Sequence, residues 1–323
     1  MEKHSRIFVA GHRGLAGSAI CRVLARHGFD NLIVRARTEL DLTDRQKTLE
    51  FFERQRPEYV ILAAAKVGGI LANDTFPADF IRENLEIETS IIDAARHTDV
   101  VRLLFLGSSC IYPKLAPQPI KEQYLLTGPL EPTNRAYALA KIAGIELCRS
   151  YNFQYGTKFL AAMPTNLYGP GDHFDLQRSH VLPALMRKVI DARRTGERKL
   201  VVWGTGKPRR EFLYSDDLGE ACVHLLTLPD SKYDTLISQN EMPLINIGTG
   251  EDLTIRELAD LVARVLDFDC ELVFDTTRRD GTPQKLLDVS RIHALGWKAK
   301  VSLAEGIRRT YASARLQLEL PAL

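Results

Sequence analysis

Along the first half of the chain, short apolar runs recur: "RIFVAG" at 6–11, "NLIVRA" at 31–36, "YVILAAA" at 59–65, "RLLFLGSS" at 102–109 and "KFLAAMPTNLYG" at 158–169. Each is short and aliphatic or β-branched, as a buried strand is. Between them, "AGSAICRVLARHG" and "ADFIRENLEIETSIIDAARH" space their apolar residues three and four apart, the pattern of a helix with one buried face. Strand and helix in alternation predict an α/β fold, a doubly wound parallel sheet with helices on both faces.

After Gly169 the pattern changes. A polar, proline-containing loop, "PGDHFDLQRS", precedes a helical stretch "HVLPALMRKVIDARRTG" in which Gly196 marks the stop. "REFLYSDDLGEACVHLL" and "PLINIGTG" read as strands or sheet-edge helices, and "TIRELADLVARVL" as a helix. This predicts a first domain over 1–174, to which the chain returns around 211–224 and 244–250, and a smaller C-terminal α/β domain over 175–323 that holds the substrate.

Composition narrows the function by exclusion. Forty-three Lys and Arg against forty-one Asp and Glu leave a formal charge of +2, so no overall field draws nucleic acid or a membrane surface. Any anion must be held locally. The five cysteines are odd in number and widely spaced, and with the eight histidines they form no metal-binding cluster. With no apolar stretch of membrane-spanning length and no leader-like segment, the expectation is a cytoplasmic protein without a metal.

The first chemistry-bearing motif is "GHRGLAG", which sets Gly11, Gly14 and Gly17 directly after the first strand and at the mouth of a helix. Glycines there allow the tight turn, let backbone N–H groups approach a pyrophosphate, and let helix pack closely on sheet. In that context they predict a dinucleotide site on a Rossmann-type sheet. A carboxylate at the end of the second strand would select NAD, but "IVRARTELDL" carries Arg35 and Arg37 instead, and Arg13 lies within the glycine loop. Guanidiniums suit a 2′-phosphate, so the expected cofactor is NADP(H). The alternative is that Arg35 and Arg37 are solvated strand-end charges. Asp41 and Leu42 are expected beside the adenine, and the backbone of "AAAKVGG" along the cofactor.

"TNRAYALAKIAG" places Tyr137 and Lys141 four apart on one helix face. A phenol is a poor acid at neutral pH, and a nearby ammonium is expected to lower its pKa. Ser108 ends a strand about thirty residues earlier, within "GSSCIYPK". A glycine cradle, a serine and a Y-x-x-x-K pair also fit a sugar 4-epimerase, a 4,6-dehydratase or a cofactor-sensing regulator. A dehydratase usually carries a carboxylate beside the serine, where this chain has Cys110.

Taken together, Gly11/Gly14/Gly17, Ser108, Tyr137 and Lys141 resemble the extended short-chain dehydrogenase/reductase family. Within it, "GHRGLAGSAI", "AAAKVGGI", "FLGSSCIYPK", "EPTNRAYALAKIAGIELC", "MPTNLYGP", "SHVLPAL", "REFL" and "DGTPQKLLDVSR" resemble the GDP-L-fucose synthase family, in the same order and over nearly the whole chain.

That resemblance implies a homodimer that uses NADPH to convert GDP-4-keto-6-deoxy-D-mannose to GDP-L-fucose by 3,5-epimerisation and 4-reduction. It implies Ser108 and Tyr137 at the C4 oxygen, Cys110 as base and His180 as acid for the epimerisations, and Lys141 holding Tyr137 and the nicotinamide ribose. It also implies a cofactor lining of Gly11, His12, Arg13, Gly14, Leu15, Ala16, Gly17, Arg37, Asp41, Leu42, Ala64, Leu106, Gly107, Ser108, Ser109, Tyr137, Lys141, Pro164, Thr165, Asn166, Leu167 and His180. At the GDP end it implies Lys188, Trp203, Arg210 and Asp280. Three basic residues depart from the family pattern: Arg135, Arg178 and Arg209.

Overall fold

The computed structural model describes residues 1–176, 179–239, 241–278 and 280–317. In chain order its first part comprises β1 (Ile7–Ala10), α1 (Leu15–Arg26), β2 (Leu32–Ile33), α2 (Arg45–Gln55), β3 (Tyr59–Leu62), α3 (Ile70–Thr75), α4 (Pro77–His97), β4 (Arg102–Leu106), α5 (Arg135–Tyr155) and β5 (Phe159–Pro164). Then follow β6 (Asn166–Tyr168), α6 (Val181–Thr195), β7 (Lys199–Trp203), β8 (Arg209–Tyr214), α7 (Ser215–Thr227), α8 (Asp230–Leu236) and β9 (Leu244–Ile247). The chain continues through β10 (Asp252–Thr254), α9 (Ile255–Val265), β11 (Glu271–Asp275), β12 (Gln284–Lys285), α10 (Ser290–Ala294) and α11 (Leu303–Gln317).

Six parallel strands in the order β2-β1-β3-β4-β5-β9 form the main sheet. Both faces are covered by helices, which is why β1, β3, β4 and β5 are buried along their whole length. The winding reverses between β1 and β3. In doubly wound sheets the crevice beyond the carboxyl ends of the strands at such a reversal receives the ligand. The glycine loop leaves β1 there, and Ala63 and Ala64 leave β3 beside it.

The stretch 158–169 is not one strand. Thr165 still donates its N–H to the Ile247 carbonyl at 3.0 Å. There the Thr165 hydroxyl and the Asn166 side-chain amide turn to the Glu211 carbonyl, at 3.3 and 2.7 Å, and pass the chain over to β8. β6 therefore pairs with β8, in a second small sheet with β10 and β12. The stretch 211–227 resolves into the end of β8 followed by α7, which crosses α1 closely: a Cβ at Gly219 would meet the Val23 side chain at 2.6 Å.

The apolar interior divides into two clusters. One surrounds the main sheet and takes in Leu218, Cys222 and Leu226 of α7 together with Leu287, Ile292 and Trp297, so the chain returns to it again near its end. The other joins Leu182, Met186 and Val189 of α6 to Leu200 and Val202 of β7, Leu258 and Val262 of α9, and Ile307 of α11. α6 ends at Gly196 in the left-handed region, at φ 75°, and α9 starts with a capping box between Thr254 and Glu257.

Candidate active site

The glycine loop is built to bring backbone against backbone. Gly11 has φ 86°, and a Cβ there would lie 2.6 Å from the Ala64 nitrogen. A Cβ at Gly17 would lie 2.1 Å from the Gly11 carbonyl oxygen, so α1 can seat on the loop only with glycine at that position. Gly14 caps α1 without a side-chain hydrogen bond. The first-turn N–H groups thus have no side chain competing for them, as an anion site at a helix N-terminus requires. Beside them the buried Nδ1 of His12 has no hydrogen-bond partner among the described residues. These features fit a dinucleotide pyrophosphate.

The two arginines after β2 do not converge. Arg35 donates to its neighbour's carbonyl, Val34, at 2.7 Å and lies over the Phe51 ring at 5.6 Å. Arg37 is exposed and approaches Glu83 at 3.6 Å, while Arg13 is exposed in the loop. Asp41 accepts from the backbone and hydroxyl of Thr43, at 3.1 and 2.8 Å, which lowers its pKa.

At the carboxyl end of β4, Gly107 runs against Met163, and a short 3₁₀ turn over Ser109–Ile111 follows. Ser109 and Cys110 are buried there and Ser108 is half-buried. The Ser108 hydroxyl lies near the Cys110 sulfur, where it favours the thiolate. Burial pushes the Cys110 thiol up, against the lowering pull of the Lys285 ammonium, of that hydroxyl and of Lys141. Lys285, on β12, is itself pushed down by burial, with the Cys110 charge acting in the opposite sense. His180 stands at the N-cap of α6, but its ring makes no capping bond. The ring keeps contact with solvent, yet enough protein surrounds it for burial, reinforced by Lys285, to push its pKa down. Lys285 therefore acts on both Cys110 and His180.

Tyr137 sits on the first turn of α5, edge-on to Phe80 with ring centroids 6.2 Å apart. Its pKa is pushed well up, by burial first and then by the negative charges of Cys110 and Glu88. Any lowering by Lys141 is outweighed. The Lys141 ammonium is 5.9 Å from the Tyr137 ring centroid and forms a buried ion pair with Glu88 of α4 at 3.1 Å.

The residues expected at the GDP end gather on the second cluster. Lys188 donates to the Val201 carbonyl at 2.8 Å and lies 4.7 Å from the Trp203 ring centroid, with Arg278 at 4.9 Å. Trp203 remains 48% exposed. Arg210 is paired in register with Lys285 and donates to the Arg209 carbonyl at 2.7 Å. Asp280 is already engaged, accepting from the Thr205 backbone and hydroxyl at 2.9 and 2.6 Å. Of the departures, Arg209 is neutralised by Asp252 at 2.8 Å and Arg135 is exposed at the start of α5. Arg178 lies outside the described residues.

Comparison with known proteins bears on this arrangement. The NAD dependent epimerase/dehydratase family matches over residues 7–247. GDP-L-fucose synthase 1 of Arabidopsis thaliana is 55% identical over 310 residues, 96% of this chain and 93% of that protein. The GDP-L-fucose synthase of Escherichia coli K12 is 53% identical, over 95% of each chain. This chain belongs to the GDP-L-fucose synthase family. Among solved structures, a GDP-mannoheptose C4 reductase from Campylobacter jejuni with NADP bound is 39% identical, with a TM-score of 0.88, and covers 98% of this chain and 99% of its own.

For a member of the GDP-L-fucose synthase family, two residues stand out that sequence reading missed. Lys285 and Glu88 are remote in sequence from the groups they face, and neither lies in a chemistry-bearing spacing. The "TPQKLLD" stretch was legible as a match, but only the fold shows which of its side chains meets the thiol.

Proposed function

We propose that this chain converts GDP-4-keto-6-deoxy-D-mannose to GDP-L-fucose, epimerising C3 and C5 and reducing C4 with NADPH. The observation that carries this reading is one cation, Lys285, acting on both Cys110 and His180 beside Ser108 and Tyr137. A reductase alone needs no such thiol and imidazole.

C3 and C5 both lie next to the C4 ketone, so their protons become removable once the C4 oxygen is held by hydrogen bonds as it gains charge. Ser108 and Tyr137 hold that oxygen. Cys110 takes the proton on one side of the ring and His180 returns one on the other. A thiolate in a buried site is a stronger base than one in water, and Lys285 offsets part of the cost of forming it. The same ammonium disfavours protonated His180, so the acid role requires the substrate's diphosphate, drawn to Lys285 and Arg210, to offset it. Bound NADPH supplies hydride to C4. Tyr137 then gives its proton to the C4 oxygen, and Lys141 holds the nicotinamide ribose.

We assign the cofactor to residues 1–174 with the returns around 211–224 and 244–250, and the sugar nucleotide mainly to 175–323. The two apolar clusters support that division in outline, with Tyr233, Leu287, Ile292 and Trp297 added to the first unit and Tyr168 and Phe174 to the second. The Gly11–Gly17 cradle supports NADP(H) binding there. Trp203 is assigned to the guanine or sugar face, with Lys188 and Arg210 at the diphosphate. A homodimer is supported by the exposed Leu139 and Phe153 on α5, and a cytoplasmic location by five free cysteines.

The test is incubation with GDP-4-keto-6-deoxy-D-mannose and NADPH in deuterated water. We expect NADPH oxidation with deuterium at C3 and C5 of the product. Oxidation without deuterium removes the epimerase half, and no turnover removes the whole reading.

A further inference from the structure

Glu88 lies on the face of α4 that packs against α5 and is fully buried. Its Oε1 is 3.1 Å from the Lys141 ammonium, which is buried as well. Neither carboxylate oxygen has an aligned hydrogen-bond donor among the described residues, so the contact is an ion pair without a supporting network. α5 is opened to admit it. At Gly144, one turn beyond Lys141, a Cβ would lie 2.9 Å from Glu88 Oε2 and 2.5 Å from the Phe105 ring.

Such a pair is a poor stabiliser. Taking two charges out of water costs about as much as their attraction returns, and apolar side chains of similar volume hold a core as well or better. Its contact with the lysine of the Tyr137/Lys141 pair points to chemistry instead. The ammonium sits 4.6 Å from the Phe105 ring centroid and 5.9 Å from that of Tyr137, so the charge that Glu88 offsets lies close to the phenol.

We propose that Glu88 is a positioning residue that anchors the Lys141 ammonium between α4 and α5 and offsets part of its charge, so that Tyr137 holds the proton it delivers to the C4 oxygen more tightly than Lys141 alone would allow. This rests on the functional reading above. The titratable groups facing Glu88 are Lys141, Tyr137 and Cys148, all from α5; Phe105 of β4 completes its surroundings without charge. Burial keeps Cys148 a thiol, and Cys110 is the other titrating neighbour of Tyr137. Burial raises Glu88 to about 7, against the lowering effect of Lys141, so its charge changes within the working range of pH.

The experiment follows the ionisation of Tyr137 without substrate or cofactor. Ultraviolet difference titration of each protein against the same protein carrying Tyr137→Phe isolates one phenol from the ten tyrosines. We expect the Tyr137 midpoint to fall by about one unit or more in Glu88→Gln, the usual scale for a charge at this range. Glu88→Asp, which keeps the charge one methylene further back, is expected to fall between Gln and the unaltered protein. The alkaline limb of C4 reduction should move down in the same order, because reduction needs the protonated phenol. A midpoint in either variant equal to that of the unaltered protein overturns the proposal, and so does a lower melting temperature with the midpoint unmoved. Failure of the unaltered protein to turn over any GDP-sugar would instead overturn the functional reading, and the phenol titration would still decide the role of Glu88.

Discussion

Cys110 and Lys285 come from distant parts of the chain, and each lowers the cost of the other's charged form. Burial drives both toward neutrality, and their mutual attraction works against it. We predict that Lys285→Met raises the Cys110 pKa and moves the ascending limb of deuterium exchange at C3 and C5 by about one unit toward alkaline pH. A pH profile of exchange that coincides with that of the unaltered protein would separate Lys285 from the thiol's chemistry.

Replacing the groups on either side of the C4 oxygen should divide the two reactions. In Cys110→Ser, exchange should slow by about 10²- to 10⁴-fold while NADPH still binds; in Tyr137→Phe, reduction should fall by a similar factor. Exchange followed by NMR and NADPH oxidation followed at 340 nm read the two activities in the same sample. Normal exchange in the serine variant removes Cys110 from the mechanism.

The glycine loop makes a sterically sharp prediction. In Gly17→Ala the new methyl would meet the Gly11 carbonyl, at 2.1 Å from its oxygen, and backbone atoms cannot step aside as a long side chain would. α1 must shift off the loop. We expect NADPH affinity, measured by fluorescence titration, to fall at least about tenfold, with a melting temperature lowered by the overpacking. Unchanged affinity would show that the pyrophosphate does not rest there.

Asp172, in the loop after β6, gives a pH dependence of stability. One carboxylate oxygen accepts from the His173 N–H at 2.7 Å, the other is buried without a partner among the described residues, and burial raises the pKa to about 7. The folded value lies above the unfolded one of about 3.9. The folded state therefore holds the proton more tightly, and the contribution to stability is complete below about pH 4 and lost as pH rises through about 7. Asp172→Asn should flatten that part of the melting-temperature curve between pH 4.5 and 8. Glu88 contributes a slope of the same sign but is present in both proteins, so the difference isolates Asp172. Parallel curves would place the proton elsewhere.

Much of this molecule was legible in the chain because its signals are local. β1, β3 and β4 are continuous apolar runs, and the Gly11–Gly17 spacing dictates a close approach that the coordinates contain. Tyr137 and Lys141 share a helix face by their spacing alone, and Gly196 ends α6 where a left-handed residue is needed. What the chain did not disclose are pairings set by tertiary packing. The run 158–169 has the pattern of one strand, but two side-chain hydrogen bonds to the Glu211 carbonyl divide it. Arg35 and Arg37 have the spacing to converge, yet Phe51 and Glu83 lead them apart. That Thr205 donates to both oxygens of Asp280, a residue expected at the ligand, is likewise set by the fold. Lys141 was expected to stand near the phenol, and its ammonium is 5.9 Å from the ring centroid; that it also pairs with Glu88 is set by the packing of α4 on α5.

The position of Lys285 also sets the order in which a growing polypeptide acquires its abilities. A chain halted just before this residue already contains the glycine loop, the thiol, the phenol and every strand of the six-stranded sheet, because β9 ends at Ile247. It lacks the ammonium shared by Cys110 and His180, and with it Leu287, Ile292 and Trp297, which complete the apolar cluster around that sheet. Nascent or prematurely terminated product thus lacks both the closing side of that core and the cation that tunes the thiol and the imidazole. Commitment to sugar chemistry is deferred to the last stage of translation.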